Sequence, residues 1–173
     1  MLHMRAQDEA EFVACIPHLR RYARGLTGER ERADDLVQDT LERAWSKFSL
    51  WQRRGEVRAW MFGIMHNLFI DRMRSQRGNL EDSAGDELPE LPQRATPTDA
   101  LALRDLERAL QRLPVEQREV LLLAAVEGLS YQDIAKVAGV PIGTVMSRLS
   151  RARERLRAEL DGRSVPVRMQ RVK

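Results

Sequence analysis

Hydroxyl and guanidinium groups crowd one stretch late in this chain. Thr144, Ser147, Arg148 and Arg151 fall close together, and from Thr144 to Ala158 five arginines stand against one acid, Glu154. Guanidinium forks bond guanine edges or phosphate oxygens, and hydroxyls bond to either. A second group joins Trp51 to Arg53 and Arg54, followed by Trp60 and Phe62 on a basic stretch. Rings that stack on unpaired bases beside cations that hold phosphates suit single-stranded nucleic acid. A third group is acidic: Asp34, Asp35, Gln38, Asp39 and Glu42, in a segment (29–42) with six acids and two bases. A local acidic face suits a basic protein partner. All three patterns are binding chemistry. The acids have no matching carboxylate cluster elsewhere, and His3, His18 and His66 are scattered without metal-ligand spacing, so neither a catalytic site nor a metal or cofactor is expected.

The elements that must carry these groups read as helices. Ser130 precedes an apolar-periodic run as an N-cap, with Asp133 three residues later as in a capping box. Gly139 suits the left-handed residue that ends this helix, and Pro141 suits the start of the next. Val145, Leu149, Ala152 and Leu156 make the dry stripe of that next helix, so Thr144, Ser147, Arg148 and Arg151 lie largely off it. Two helices around a glycine turn, the second basic, form a helix-turn-helix whose second helix fits a major groove.

Earlier in the chain, residues 8–26 read as a helix on Phe12, Ile16, Leu19, Tyr22, Ala23 and Leu26, with Pro17 predicting a kink or a later start. Residues 30–48 carry the acidic face opposite an apolar one of Leu36, Val37, Leu41, Ala44, Trp45 and Phe48. A loop over 49–56 leads to a helix over 57–74 with Trp60, Ile64 and Leu68 buried. Residues 100–113, with Leu101, Leu103, Leu106, Ala109, Leu110 and Leu113, and residues 115–127 complete the set. Between them, residues 78–99 hold six acids, one base and three prolines without any period, the composition of a flexible tether. An acidic tether does not adhere to DNA, so two independently placed bodies are expected. The fold class is all-α: two small helical domains, 1–77 and 100–162, joined by an acidic linker at 78–99 and followed by a basic tail, 163–173, expected to be disordered.

Composition narrows the classes. Apolar residues make up 43% of the chain, enough for a folded core, while the formal charge of +3 is too small to identify a partner by itself. Cys15 is the single cysteine, which excludes an internal disulfide and fits a cytoplasmic setting; its apolar flank predicts a buried thiol. The N-terminus has no apolar core like a signal peptide, and the longest apolar run, Val120 to Val126, is far short of a membrane span.

Three motifs in order resemble the extracytoplasmic-function group of the sigma-70 family, the smallest bacterial RNA polymerase sigma factors. Asp34-Asp35-Leu36-Val37-Gln38-Asp39-Thr40-Leu41-Glu42-Arg43-Ala44-Trp45 is similar to the core-polymerase-binding helix of region 2. Arg58-Ala59-Trp60-Met61-Phe62-Gly63 through Asp71-Arg72 is similar to its promoter-melting segment. Leu113-Pro114-Val115-Glu116-Gln117-Arg118-Glu119-Val120, Gly128-Leu129-Ser130-Tyr131-Gln132-Asp133-Ile134-Ala135 and Gly143 through Arg153 are similar to region 4. The resemblance implies that Asp35, Gln38, Asp39 and Glu42 dock on the clamp of core RNA polymerase. It implies that Trp51, Arg53, Arg54, Trp60 and Asn67 capture and hold the −10 element. It implies that Thr144, Ser147, Arg148 and Arg151 read the −35 element of promoter DNA. An anti-sigma partner is also implied. Met146 departs from a position that is often basic in the family.

Other classes predict other features. A stand-alone helix-turn-helix regulator would need a dimerisation helix rather than the acidic one. A sigma mimic that traps an anti-sigma protein would have lost its base-reading groups. A nucleic-acid-processing enzyme would need clustered carboxylates or His/Cys ligands.

Overall fold

The computed structural model describes residues 5–51, 55–79 and 97–162. Seven α-helices carry the fold, and no strand occurs among the described residues: α1 (Ala6–Thr27), α2 (Arg30–Lys47), α3 (Val57–Asn79), α4 (Pro97–Arg112), α5 (Val115–Leu121), α6 (Tyr131–Ala138) and α7 (Ile142–Leu160). The expected all-α class holds. Arg53, Arg54, most of the 78–99 segment and the 163–173 tail lie outside the described residues.

Local chemistry sets most of the boundaries. Gly28 ends α1 in the left-handed region and donates its N–H to Arg24 O at 2.9 Å. Ser130 caps α6: its Oγ accepts from the Asp133 N–H at 3.1 Å and donates to Asp133 Oδ2 at 2.7 Å. Gly139 closes that helix, again in the left-handed region. Past Leu121 the α5 helix widens into a π turn, Leu122–Val126, closed by Glu127 N–H to Leu122 O at 3.1 Å.

Several expectations need correction. Pro17 neither delays nor ends α1, which runs through it from Ala6. Pro17 is exposed, so water can solvate the carbonyl that lost its donor, while Phe12, Cys15 and Leu19 bury the opposite face on both sides of it. α3 continues to Asn79, past the helix end expected at 74, and α4 begins at Pro97 rather than at 100. Trp45, expected on the apolar face of α2, is 60% exposed; Ala33 and Thr40 are buried on that helix, with the Thr40 hydroxyl donating to Leu36 O at 2.7 Å. Leu101 and Leu103 are likewise exposed on α4. Cys15 is buried as expected, and burial is the main cause that raises its thiol pKa.

The largest difference is the placement of the halves. One continuous hydrophobic cluster runs from Phe12, Leu19, Tyr22 and Leu26 of α1 through Met61, Phe62 and Met65 of α3 to Leu122, Leu123, Ile134 and Leu149. The expected independent bodies instead pack α1 and α3 against α4, α5 and α6.

Candidate nucleic-acid and protein interfaces

The α7 face forms as the residue spacing requires. Val145, Leu149 and Ala152 are buried against the rest of the second half. Ser147 and Arg151 are exposed, and Thr144 and Arg148 are half-buried beside them. The Ser147 hydroxyl donates to Thr144 O at 3.0 Å, which still leaves its oxygen free to accept. Met146 and Ile142 add exposed apolar surface on the first turns of the same helix. The four predicted side chains therefore share one helix, with guanidiniums and hydroxyls outside its core stripe.

The region around Trp51 is an aromatic chain. Phe12 meets Trp45 edge-on at 6.1 Å and Phe48 at 6.3 Å; Phe48 meets Trp51 at 5.6 Å; Trp51 stacks on Trp60 at 5.9 Å. Trp51 and Trp60 are thus partly committed to each other, on either side in sequence of Arg53 and Arg54. Asn67 lies exposed about two turns beyond Trp60 on α3. Phe62, taken from sequence as an aromatic available for bases, is fully buried edge-on against Tyr22 at 5.0 Å and is a core residue.

The acidic face of α2 is intact. Asp34, Asp35, Gln38, Asp39 and Glu42 are exposed, and Leu36, Val37 and Thr40 are buried behind them. Gln38 Nε2 donates to Glu42 Oε1 at 3.3 Å. Asp39 pairs with Arg72 of α3, which also reaches Asp35 O at 3.4 Å. This ion pair is half-exposed and adds about 0–1 kcal/mol at most.

A polar joint between the halves went unread in the sequence. Glu127 accepts from Arg21 Nε at 2.9 Å and Nη2 at 3.0 Å and lies 2.8 Å from His18 Nδ1. Glu119 accepts from the Tyr22 hydroxyl at 3.2 Å and is paired with His66 Nδ1. Burial, then the charge of Glu119 and its hydrogen bond, hold the Tyr22 phenol well above its ordinary pKa. Arg118 is also buried, and desolvation pulls its pKa below the ordinary guanidinium value. The available signal was an acid set against an apolar run, Glu119 before Val120 to Val126. Its partners lie 97 and 53 residues away, beyond any local pattern.

Among the described residues no group of three or more His, Cys, Asp or Glu side chains is gathered as a metal site. No helix of the described residues is long and apolar enough to cross a membrane.

Comparison with known proteins matches two family models, the Sigma2 domain of PhyR over residues 12–66 and Sigma-70 region 4 over residues 103–156. The chain is 39% identical over 150 residues to the ECF RNA polymerase sigma factor EcfG of Rhodopseudomonas palustris (strain TIE-1), spanning 87% of this chain and 83% of that protein. Its fold matches the sigma factor RpoE of Bartonella quintana, solved in complex with the anti-sigma factor NepR, with a TM-score of 0.80 and 36% identity over 91% of this chain and 98% of that one. The anti-anti-sigma factor PhyR of the same organism, solved with NepR, shares the fold at a TM-score of 0.58 and 20% identity, covering 86% of this chain and 48% of that one.

Proposed function

The chain belongs to the extracytoplasmic-function group of RNA polymerase sigma factors, and from that premise we propose how its surfaces direct transcription initiation. The sigma factor binds core RNA polymerase and promoter DNA and supplies position; the chemistry of RNA synthesis belongs to core enzyme, and the chain itself is not an enzyme. It works in the cytoplasm, where the polymerase is. An anti-sigma protein controls it, as the relative solved with NepR suggests.

Each surface has one task. The acidic face of α2, with Asp35, Gln38, Asp39 and Glu42, docks on the polymerase clamp. The residues after Trp51, with Arg53, Arg54 and the exposed amide of Asn67, hold the opened −10 strand. The Trp51–Trp60 stack offers ring surface to an unstacked base. Flipping a base out costs about a few kcal/mol, which such a preformed surface offsets. Thr144, Ser147, Arg148 and Arg151 read −35 duplex, where phosphate contacts set register and base-edge contacts set sequence. Residues 1–77 and 100–162 act as the two functional units, with 78–99 as the tether between them and 163–173 as a basic tail.

The observation that carries this reading is the α7 face: hydroxyls and guanidiniums outside a buried stripe, on the second helix of a capped helix-turn-helix. Its test is reconstitution with core polymerase and sequencing of transcript 5′ ends. Transcripts should start downstream of a common −10/−35 pair. Their absence, with no inhibitor present, overturns the reading. A second reading is favoured by the match of residues 12–66 to the Sigma2 domain of PhyR: a sigma mimic that only captures an anti-sigma protein. A mimic would bind that protein yet start no transcripts. The same assay separates the two.

The clamp assignment has its own check. Asp39→Lys should weaken core-polymerase binding by about tenfold or more, because it reverses charge at the docking face. Helicity should not change, since the Arg72 pair is half-exposed. Unchanged affinity in a pull-down would move the docking face elsewhere.

A further inference from the structure

Ile142 and Met146 lie one turn apart on α7 and are 41% and 50% exposed. Neither belongs to the buried stripe of Val145, Leu149 and Ala152. Single exposed apolar side chains are ordinary on a protein surface. These two sit together on a helix that carries five arginines and one acid from Thr144 to Ala158. The surrounding cations draw a polyanion to this apolar spot.

At about 100° per residue, Ser147 points most directly away from the buried stripe. Met146 and Ser150 lie to one side of it, Arg151 and Arg148 to the other. Ser147 and Ser150 are both exposed and short, and the Ser147 hydroxyl is held back on Thr144 O. The Met146 thioether therefore stands out beyond its polar neighbours. It also borders an open hollow with Tyr131 and Arg153, so the space next to it is unfilled.

In the major groove a base pair offers donors, acceptors and one apolar group, the C5-methyl of thymine. Guanidiniums and hydroxyls take the first two. Met146 can offer those groups only a weakly accepting sulfur. Its flexible, polarisable side chain suits an apolar group instead. We propose that Met146, backed by Ile142, reads a thymine methyl in the −35 element and so fixes one base pair that the polar side chains of α7 leave open. The proposal rests on the −35 reading above and extends it to a thymine. Burying one methyl group is worth about fourfold in affinity.

Deoxyuridine tests it, because it lacks only that methyl and keeps every hydrogen-bonding group of thymidine. Holoenzyme is reconstituted from core polymerase and the full chain on a promoter identified by transcript 5′ ends. Each thymine of the −35 element, on both strands, is exchanged in turn for deoxyuridine, and binding is measured by competition. Wild type should lose about fourfold at one thymine. Met146→Ala should lose as much on the unmodified promoter and be indifferent to deoxyuridine there. Met146→Leu should stay sensitive. Helicity should not change in either variant, since the side chain is half-exposed. If no exchange weakens wild-type binding, the proposal is overturned, and the −35 reading stands where other base changes in the element still weaken it. If those changes have no effect either, that reading falls too. Sensitivity that persists in Met146→Ala assigns the methyl to another residue and overturns the proposal. Weaker binding of Met146→Ala to core polymerase without DNA makes the patch a protein contact and overturns it as well.

Discussion

At the scale of single residues, burial separates charged groups that hold the fold from charged groups left on its surface. Arg118 sends Nε to Leu110 O, Nη2 to the carbonyls of Gln111 and Leu113, and Nη1 to Leu26 O and Gln111 Oε1. Planar, fixed donors satisfy the turn between α4 and α5 in a way one ammonium could not. Arg118→Ala strands several buried carbonyls and should cost about 3–5 kcal/mol in a urea melt, with Arg118→Lys recovering little of it. Arg148 and Arg151 are different: among the described residues neither makes a side-chain hydrogen bond or ion pair. Replacing either with Ala should leave stability nearly unchanged and cost about 1–3 kcal/mol of discrimination at one −35 position if that guanidinium reads guanine. An equal loss on every promoter variant would show phosphate contact instead. Tyr22 gives a pH signature. Its folded pKa is raised, so below about pH 10 the proton is kept in both folded and unfolded states and the packing is intact. Above that the unfolded phenol ionises first, and stability falls as pH rises. Absorbance titration should show a tyrosine ionising late, and Tyr22→Phe should remove that late phase.

At the scale of elements, caps and stripes were readable because their causes are local. Ser130, Asp133 and Gly139 bond to or shape only their own turn, and the α6–α7 pair appears where those residues put it. Ser130→Ala should lower stability by about 1 kcal/mol in a denaturant melt. It should weaken −35 binding as well, because α6 supports α7. Failures at this scale have one physical origin. A helix's periodicity marks its apolar residues, but a neighbouring helix decides which of them it covers. Trp45 meets Phe12 at a right angle yet stays largely exposed. Leu101 and Leu103 lie on α4 faces that no described element covers. Phe62 went the other way: expected from sequence to stack on bases, it is sealed against Tyr22.

At the scale of the whole molecule, the acidic segment between α3 and α4 separates the halves in sequence without separating them in space. Its composition speaks only to the segment itself. Whether the bodies it joins touch depends on how their surfaces match, and here Gly25, Gly28, Glu119 and Glu127 make them match. The sequence by itself determined the helical class, the order of the three surface groups, and the residues of the α2 and α7 faces. Each of those follows from spacing along one helix or from a turn a few residues long. Only the tertiary structure decided that Trp51 stacks on Trp60, that Phe62 is core and that the two halves close on one another. Those outcomes come from partners tens of residues apart, and for such pairs fit and burial, rather than periodicity, set the energy.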